Sequence, residues 1–386
     1  MLMKYYSYRP PRLIREVGSR TSHHRKKPWK NYLKWLIVTA IVLLPGFGIW
    51  RMFSSEVNLV KVVLDQEDIG AVAGTDDQAR GAISNMIPFL TTEKNTFQIQ
   101  QNPVQALGIG GAATDVDAVL ETKAGLSVNF ENGEVYYAYN AQARLPMASI
   151  TKVMTAMVAL DLASMEETYT VSRSATEVEP TVMGAYEGEK LTMRELVEAA
   201  LLMSANDAAQ VLAEGIGKKY QGDEKLFVEA MNEKAKIIGL VNTRFTNPQG
   251  YDNPEHYSTC EDIAVMARYA LTQYPDIARM VKEKEGRLAQ NANHQAFWLP
   301  NWNMLIGTYP GADGIKIGNT GEAGHTTVAS ATREGKRIIS CVLGAEGILK
   351  RDLAAAELLN IGFSKVGIAP YPITEDVLRN RIKDWY

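Results

Sequence analysis

The sequence predicts an α+β fold in which an antiparallel sheet is flanked by helices and a helical subdomain is inserted between its strands. Three observations indicate this fold. Strand-like segments lie at both ends of the region 118–370, helical periodicity fills its middle, and Asn132-Gly133 marks a hairpin. The chain has 386 residues, 46% of them hydrophobic and 22% charged, which is typical of a folded domain rather than a disordered or collagen-like chain.

The N-terminal part of the chain is predicted to anchor the protein in a membrane. Residues 1–34 contain ten Lys or Arg residues and one acidic residue, and they are predicted to be a basic cytoplasmic segment. Residues 35–53 are predicted to be a transmembrane signal-anchor, because the stretch from Tyr32 to Phe53 would form a helix of about 33 Å. The positive-inside rule then predicts a single pass through the cytoplasmic membrane, with the N-terminus inside and the body outside.

A cleaved signal peptide is the alternative interpretation of the same segment. Pro45-Gly46 would interrupt an apolar helix near a cleavage region, and Gly46-x-Gly48 is a weak candidate cleavage site. In either case the basic head precedes an uncharged stretch, and contact between that head and the anionic surface of the lipid bilayer is expected.

Charge and cysteine content exclude several functional classes. The net charge is −3 although the first 34 residues are strongly basic, so the body is acidic, which argues against a nucleic-acid partner. Cys260 and Cys341 are too few for a disulfide framework or a thiolate metal cluster, and the five histidines show no metal-binding spacing. No metal and no cofactor are therefore expected, and a single disulfide between the two cysteines stays open.

The elements of the body follow one another in a regular order. Residues 54–117 show no repeat and are predicted to be a linker or spacer, and residues 371–386 are predicted to be a short C-terminal tail. The predicted elements between them are strands at Ala118–Asn129 and Glu134–Tyr139, helices at Ser149–Leu162, Thr192–Leu202, Asn206–Ile216, Glu224–Ile238 and Thr259–Leu271, strands at Gly314–Ile317, Thr326–Thr332 and Arg337–Leu343, and a helix at Lys350–Ile361.

Ser149 and Lys152 form an S-x-x-K motif at the start of a predicted helix, where they would lie one turn apart on one face. A serine hydroxyl needs a base to become a nucleophile. Lysine can act as that base only when it is neutral, and lowering its pKa by three units corresponds to about 4 kcal/mol. Burial and a second cation would both lower that pKa, so the motif predicts catalysis only if the fold buries the lysine. A solvent-facing lysine on an ordinary helix is the alternative interpretation.

Two further motifs follow in the sequence. Ser204 and Asn206 form S-x-N between two predicted helices, where a helix cap is the simpler explanation. Lys316 and Gly318 form K-x-G on a predicted strand. There the lysine would attract a carboxylate and the glycine would let a ligand approach the strand, although an edge-strand lysine is also a common device against aggregation.

Taken in order, the three motifs resemble those of the penicillin-recognising serine enzymes. The surrounding sequence resembles the low-molecular-mass penicillin-binding proteins, the serine D-alanyl-D-alanine carboxypeptidases, over about residues 118–363. The stretches that carry the resemblance are Pro146–Thr155, Met203–Ala209, Phe245–Gly250, His256–Thr259 and Gly311–Lys316. The resemblance implies a penicillin-binding-protein/β-lactamase-like fold.

The resemblance also implies an activity: removal of the terminal D-alanine from peptidoglycan stem peptides through an acyl-enzyme, with β-lactams as covalent inhibitors. Such a hydrolase would serve peptidoglycan biosynthesis, the cell wall and cell shape. By the same resemblance Ser149 is the nucleophile, Lys152 the base and Ser204 a proton relay. The implied substrate-binding positions are Asn206, Lys316, Ile317, Gly318 and Asn319.

Ile317 departs from the family pattern, which usually has threonine between the lysine and the glycine. In the family the threonine hydroxyl hydrogen-bonds the substrate carboxylate, which isoleucine cannot do. Loss of that hydrogen bond would weaken substrate binding by about 1.5–3 kcal/mol. A catalytically weak or inactive scaffold that binds wall peptide therefore stays an alternative, as does a DD-endopeptidase. A β-lactamase is disfavoured, because its deacylation glutamate motif is not evident.

Overall fold

The computed structural model describes residues 76–90, 95–100 and 121–383, and the fold is given for these residues. The predicted segments 1–34 and 35–53 lie outside them. Among the described residues, no helix combines the length and the apolar character that a bilayer crossing requires.

A five-stranded antiparallel sheet with the strand order β2-β1-β9-β8-β7 forms the centre of the fold. Two-stranded pairs β3-β4 and β5-β6 accompany it. The strands are β1 (Ala124–Asn129), β2 (Val135–Tyr139), β3 (Thr168–Thr170), β4 (Lys190–Thr192), β5 (Glu285–Leu288), β6 (Phe297–Pro300), β7 (Ala312–Thr320), β8 (Gly324–Arg333) and β9 (Lys336–Ala345).

Helices precede the first strand, occupy most of the chain between β2 and β7, and follow the last strand. Two short 3₁₀ turns lie at Ile87–Phe89 and Ala148–Thr151. The α-helices are α1 (Asp76–Met86), α2 (Lys152–Leu162), α3 (Arg173–Thr176), α4 (Met193–Leu202), α5 (Asn206–Lys219), α6 (Glu224–Ile237), α7 (Cys260–Gln273), α8 (Pro275–Met280), α9 (Ile348–Lys365) and α10 (Glu375–Lys383).

The sheet is built from both ends of the region 118–370, as the sequence predicts. The β1–β2 hairpin turns at Gly133, whose φ of +76° suits glycine. β1 then pairs with β9, with Leu126 opposite Cys341. The helical segment is therefore an insertion between the second and third strands of one sheet, and the predicted α+β architecture is confirmed.

Alternating side chains of β9 pack into two different cores. Ile339 and Cys341 face the inserted helices, whereas Ile338 and Val342 face α9 on the other side of the sheet. This is the two-residue period of a strand buried on both faces. Cys341 is a free, buried cysteine, and so is Cys260 at the start of α7.

Helix α2 lies at the centre of the inserted helices, and nine of its eleven residues are buried. A helix that is apolar on all sides belongs in the interior of a domain. Its first residue, Lys152, is therefore taken out of water together with its apolar neighbours. Of the helices around it, α4, α6 and α7 carry side-chain caps, whereas α5 has none. Thr259 caps α7 as the sequence predicts, with its hydroxyl accepting the amide of Asp262 at 3.1 Å.

Several elements lie where the sequence predicts none. The β5–β6 pair, α3 and α8 are short and lack a clear hydrophobic period. Within the predicted spacer, α1 contributes the buried Met86, and Asn95 donates a hydrogen bond to the carbonyl of Ile238 at 3.0 Å. Within the predicted tail, α10 buries Leu378 beside α9.

Candidate active site

The Ser149–Lys152 pair lies where the 3₁₀ turn meets α2. Lys152 Nζ is 2.8 Å from Ser149 Oγ, so the predicted contact between the two motif residues exists in the structure. Ser149 is half-buried, while Lys152 has no exposed surface. The serine can therefore meet a substrate while the lysine behind it stays dry.

Two further acceptors fix Lys152 Nζ. It lies 2.7 Å from Asn206 Oδ1 and 2.7 Å from the carbonyl oxygen of Gln249. All three partners of the amine are neutral, so none of them compensates a positive charge as a contacting carboxylate would. Burial and the nearby charge of Lys316 lower the pKa of Lys152 well below its ordinary value, against the opposing influence of Asp207. A lysine in this setting can be neutral and can act as a base.

The S-x-N motif lies in the turn between α4 and α5. Ser204 is buried and has a φ of +64°, so the chain reverses sharply there before α5 begins at Asn206. Asn206 Nδ2 donates to the carbonyl of Glu179 at 2.8 Å, which leaves Oδ1 turned to Lys152. The side chain of Asn206 therefore links the lysine to the segment that follows α3.

Asp207 holds that segment against α5. Its carboxylate accepts the amides of Met183 at 3.0 Å and Gly184 at 2.9 Å, and the amide of Asn206 donates to the carbonyl of Thr181 at 2.7 Å. Burial raises the pKa of Asp207, and these amide donors act in the opposite direction. The segment 181–184 is therefore held to the start of α5 by several independent hydrogen bonds.

Lys316 lies on the edge strand β7 and is 1% exposed. Its Nζ donates to the carbonyl of Ile317 at 3.1 Å. Burial, followed by the charge of Arg351, lowers the pKa of Lys316 to about 7. Arg351 is itself buried on α9, where it is paired with Asp352 at 2.7 Å. The edge strand thus carries a second buried amine, and the charge of Arg351 contributes to its lowered pKa.

Strand β7 lies directly against the Ser149 turn. A Cβ atom placed on Gly318 would come within 2.7 Å of the Ser149 amide nitrogen, so only glycine fits at this position. Thr326 on β8 donates to the carbonyl of Met147 at 3.0 Å and holds the same turn to the sheet. The next residue of β7, Asn319, pairs with His325 in the register. The K-x-G strand and the nucleophile turn therefore form one site.

His256 is hydrogen-bonded to the nucleophile turn, the 3₁₀ turn Ala148–Thr151 that carries Ser149. The amide of Thr246 donates to its Nδ1 at 3.1 Å, so Nε2 carries the proton and donates to Thr151 Oγ1 at 2.7 Å. Thr151 in turn donates to the carbonyl of Ala148 at 2.8 Å. Burial lowers the pKa of His256 to about 4, so this chain of hydrogen bonds persists at neutral pH.

The structure brings five of the eight predicted residues together and adds some that the sequence did not predict as site residues. Ser149, Lys152 and Asn206 are in direct contact, Gly318 lies against Ser149, and the charge of Lys316 acts on Lys152. The added residues are Gln249, which contributes a backbone carbonyl, and Asp207, His256 and Arg351. The N-P-x-G segment that ends at Gly250 signals the first of these, because Gly250 has a φ of +93° and no room for a Cβ beside Ala148.

Sequence comparison places the chain among known peptidases. The family model described as D-alanyl-D-alanine carboxypeptidase matches residues 112–347. The chain is 34% identical over 269 residues to the D-alanyl-D-alanine carboxypeptidase DacF of Bacillus subtilis, a match that covers 68% of this chain and 68% of that protein.

Solved structures agree with the sequence comparison. The crystal structure of the Streptomyces K15 DD-transpeptidase is 29% identical with a TM-score of 0.60, and the match covers 63% of this chain and 97% of that one. Penicillin-binding protein D2 of Listeria monocytogenes in its ampicillin-bound form is 29% identical with a TM-score of 0.54, covering 63% of this chain and 97% of that one. Since the family model spans more than half of the sequence, the chain belongs to the D-alanyl-D-alanine carboxypeptidase family of serine hydrolases.

Proposed function

We propose that the chain is a membrane-anchored, extracytoplasmic DD-carboxypeptidase that removes the terminal D-alanine from peptidoglycan stem peptides. The observation that carries this proposal is the 2.8 Å contact between Ser149 Oγ and the Nζ of the fully buried Lys152. The predicted anchor at residues 35–53 and the single-pass topology belong to the same proposal. They are supported by the basic segment that precedes the uncharged stretch.

Acylation begins when Lys152 takes the proton of Ser149 and Ser149 Oγ attacks the carbonyl carbon of the D-Ala-D-Ala bond. The tetrahedral oxyanion would be held by the backbone N–H groups of Ser149 and Asn319. A donor of this kind contributes about 3–4 kcal/mol in the transition state. The contact of Gly318 with the Ser149 amide supports this placement, because it brings β7 next to that N–H group.

Collapse of the tetrahedral intermediate breaks the peptide C–N bond. The proton then passes to the departing D-alanine nitrogen, with Ser204 as the relay from Lys152. Asn206 would bind the amide on the acyl side, while Lys316 would attract the terminal carboxylate of the substrate. A carboxylate beside Lys316 raises the pKa of that lysine, so substrate binding favours its charged form.

Hydrolysis of the acyl-enzyme by water completes the reaction and regenerates Ser149. A β-lactam would acylate Ser149 by the same attack, but its ring-opened product stays attached to the carbonyl and is not expelled as D-alanine is. Slow deacylation and covalent inhibition follow. The ampicillin-bound form of the Listeria relative supports β-lactams as ligands of this site.

The full chain in detergent is expected to release D-alanine from a D-Ala-D-Ala-terminated peptide and to form a covalent adduct with a fluorescent penicillin. Intact mass would report the adduct, and an enzymatic assay would report D-alanine in parallel. Adduct without release would contradict the carboxypeptidase and favour an endopeptidase. Neither signal, in a protein that unfolds cooperatively on heating, would favour a scaffold that binds wall peptide.

Replacing Ile317 with threonine is expected to raise the acylation rate about 10- to 100-fold, because the new hydroxyl can bind the substrate carboxylate. The measurement is the second-order rate constant for labelling by fluorescent penicillin. Ile317→Val is the matched control, since valine has the shape of threonine without the hydroxyl. Equal rates in the two variants would show that the carboxylate is held by other groups.

A further inference from the structure

The loop that carries Gln249 is held by hydrogen bonds from the side chain of Asn247 and continues into Tyr251. Asn247 Oδ1 accepts the amides of Gly250 at 2.7 Å and Tyr251 at 2.9 Å, and Asn247 Nδ2 donates back to the carbonyl of Tyr251 at 3.2 Å. Gly250 lies against the backbone of Ala148. The backbone of Tyr251 is therefore fixed relative to the nucleophile turn.

The side chain of Tyr251 contacts the segment that follows α3. Its hydroxyl donates to the carbonyl of Glu179 at 3.1 Å. The same carbonyl accepts Asn206 Nδ2 at 2.8 Å. The carbonyl oxygen of Glu179 thus accepts two hydrogen bonds, one from Asn206 in the active site and one from Tyr251 in the loop that follows Gln249.

The orientation of the Asn206 amide determines what Lys152 meets. With Nδ2 turned to Glu179, Oδ1 accepts Lys152 Nζ at 2.7 Å. A rotation of the amide by half a turn would place an NH₂ group against the amine, and an amide NH₂ cannot accept a hydrogen bond, so Lys152 would lose this acceptor. Any contact that fixes the Glu179 carbonyl therefore also fixes the acceptor of the catalytic lysine.

We propose that Tyr251 is a positioning residue for acylation, which acts through the Glu179 carbonyl on the amide of Asn206 and so on Lys152. This inference rests on the proposed function and adds to it a residue outside the three motifs. Burial, and then the neighbouring Glu179, raise the pKa of Tyr251 to about 12, so the phenol keeps its proton and remains a donor at neutral pH.

The segment 179–184 is held in place by hydrogen bonds that do not involve Tyr251. The amide of Asn206 still donates to the carbonyl of Thr181, and Asp207 still accepts the amides of residues 183 and 184. Removal of the phenolic hydroxyl should therefore leave the fold intact and loosen only the Glu179 carbonyl. That expectation separates positioning from a general structural role.

The test is Tyr251→Phe in the full chain, with saturation kinetics of acylation by a fluorescent penicillin at a constant neutral pH. We expect the limiting acylation rate to fall about 3- to 10-fold, the effect of one hydrogen bond, while the dissociation constant of the non-covalent complex changes less than twofold. Tyr186→Phe is the matched control, since Tyr186 is 66% exposed on the same segment as Glu179. It should keep the wild-type rate.

A double-mutant cycle with Asn206→Ala shows whether Tyr251 acts through Asn206. In that background Tyr251→Phe should no longer slow acylation, because the amide it orients is gone. The same slowing with and without Asn206 would overturn the inference, and so would a wild-type rate in Tyr251→Phe. If the wild-type chain itself is not acylated, the failure lies with the proposed function, and the inference falls with it.

Discussion

Replacing Ser149 with alanine is expected to abolish both covalent labelling by penicillin and release of D-alanine. The variant lacks the only atom that the proposed mechanism bonds to substrate, and loss of a nucleophile of this kind lowers turnover on the order of 10⁶-fold. Intact mass after incubation with a β-lactam would measure the adduct, and the D-alanine assay would measure turnover. We expect the unmodified mass and no signal above the uncatalysed reaction.

The Ser149→Ala variant should fold, so its inactivity can be assigned to chemistry. Lys152 keeps its contacts with Asn206 Oδ1 and the Gln249 carbonyl, and none of the buried groups that the structure describes loses its only partner. Ser174→Ala, at an exposed serine of α3, is the control for a lost hydroxyl elsewhere. Covalent labelling that survives in Ser149→Ala would refute the nucleophile assignment.

The electrostatics of the site depend on three buried basic side chains, those of Lys152, Lys316 and Arg351. Burial lowers the pKa of both Lys152 and Lys316, the charge of Lys316 lowers that of Lys152 further, and Arg351 does the same to Lys316. Burial of Lys152 and the charge of Lys316 both favour a neutral Lys152 in the free enzyme, whereas the lowered pKa of Lys316 reduces the charge that it places beside Lys152. A substrate carboxylate would then restore the charge of Lys316 without a proton on Lys152, so one lysine can bind while the other acts as base.

The sequence predicted what local spacing determines. Three residues of separation place Ser149 and Lys152 one turn apart whether the turn is α-helical or, as found, 3₁₀ up to Thr151. The sheet strands were likewise evident from their apolar runs. The β5 strand Glu285–Leu288 was not, because a short sequence of charged residues and glycine has no hydrophobic period.

The sequence does not show which group a backbone contact, or packing between distant elements, will bring to the site. The carbonyl of Gln249 reaches Lys152 across 97 residues, and every residue has a carbonyl. Arg351 and Asp352 are adjacent charged residues, a type that is mostly exposed in proteins, yet α9 packs on the sheet and buries both. The bond from Tyr251 to Glu179 likewise depends on the tertiary fold, so these groups become candidates only when the chain is folded.

Replacing Lys152 with methionine is expected to lower the rate of penicillin acylation by about 10²- to 10⁴-fold, the usual contribution of a general base. Methionine fills similar volume in the interior but cannot accept the proton of Ser149. The pH profile should change as well. The lysine pKa is lowered, so the wild-type rate falls as the pH drops through that pKa and the amine becomes protonated. In Lys152→Met this acidic limb should be absent.

Lys234→Met supplies the matched control, because Lys234 is also a fully buried lysine in a helix of the same domain. Its Nζ contacts Asp161 Oδ2 at 2.9 Å, so its removal leaves a buried carboxylate without its cation. We expect that variant to lose about 3–5 kcal/mol of stability while its folded fraction is acylated at the wild-type rate. Lys152→Met should show the opposite pattern, with the loss in rate and not in folding. If Lys152→Met were acylated within threefold of wild type with the acidic limb intact, another group would have to be the base.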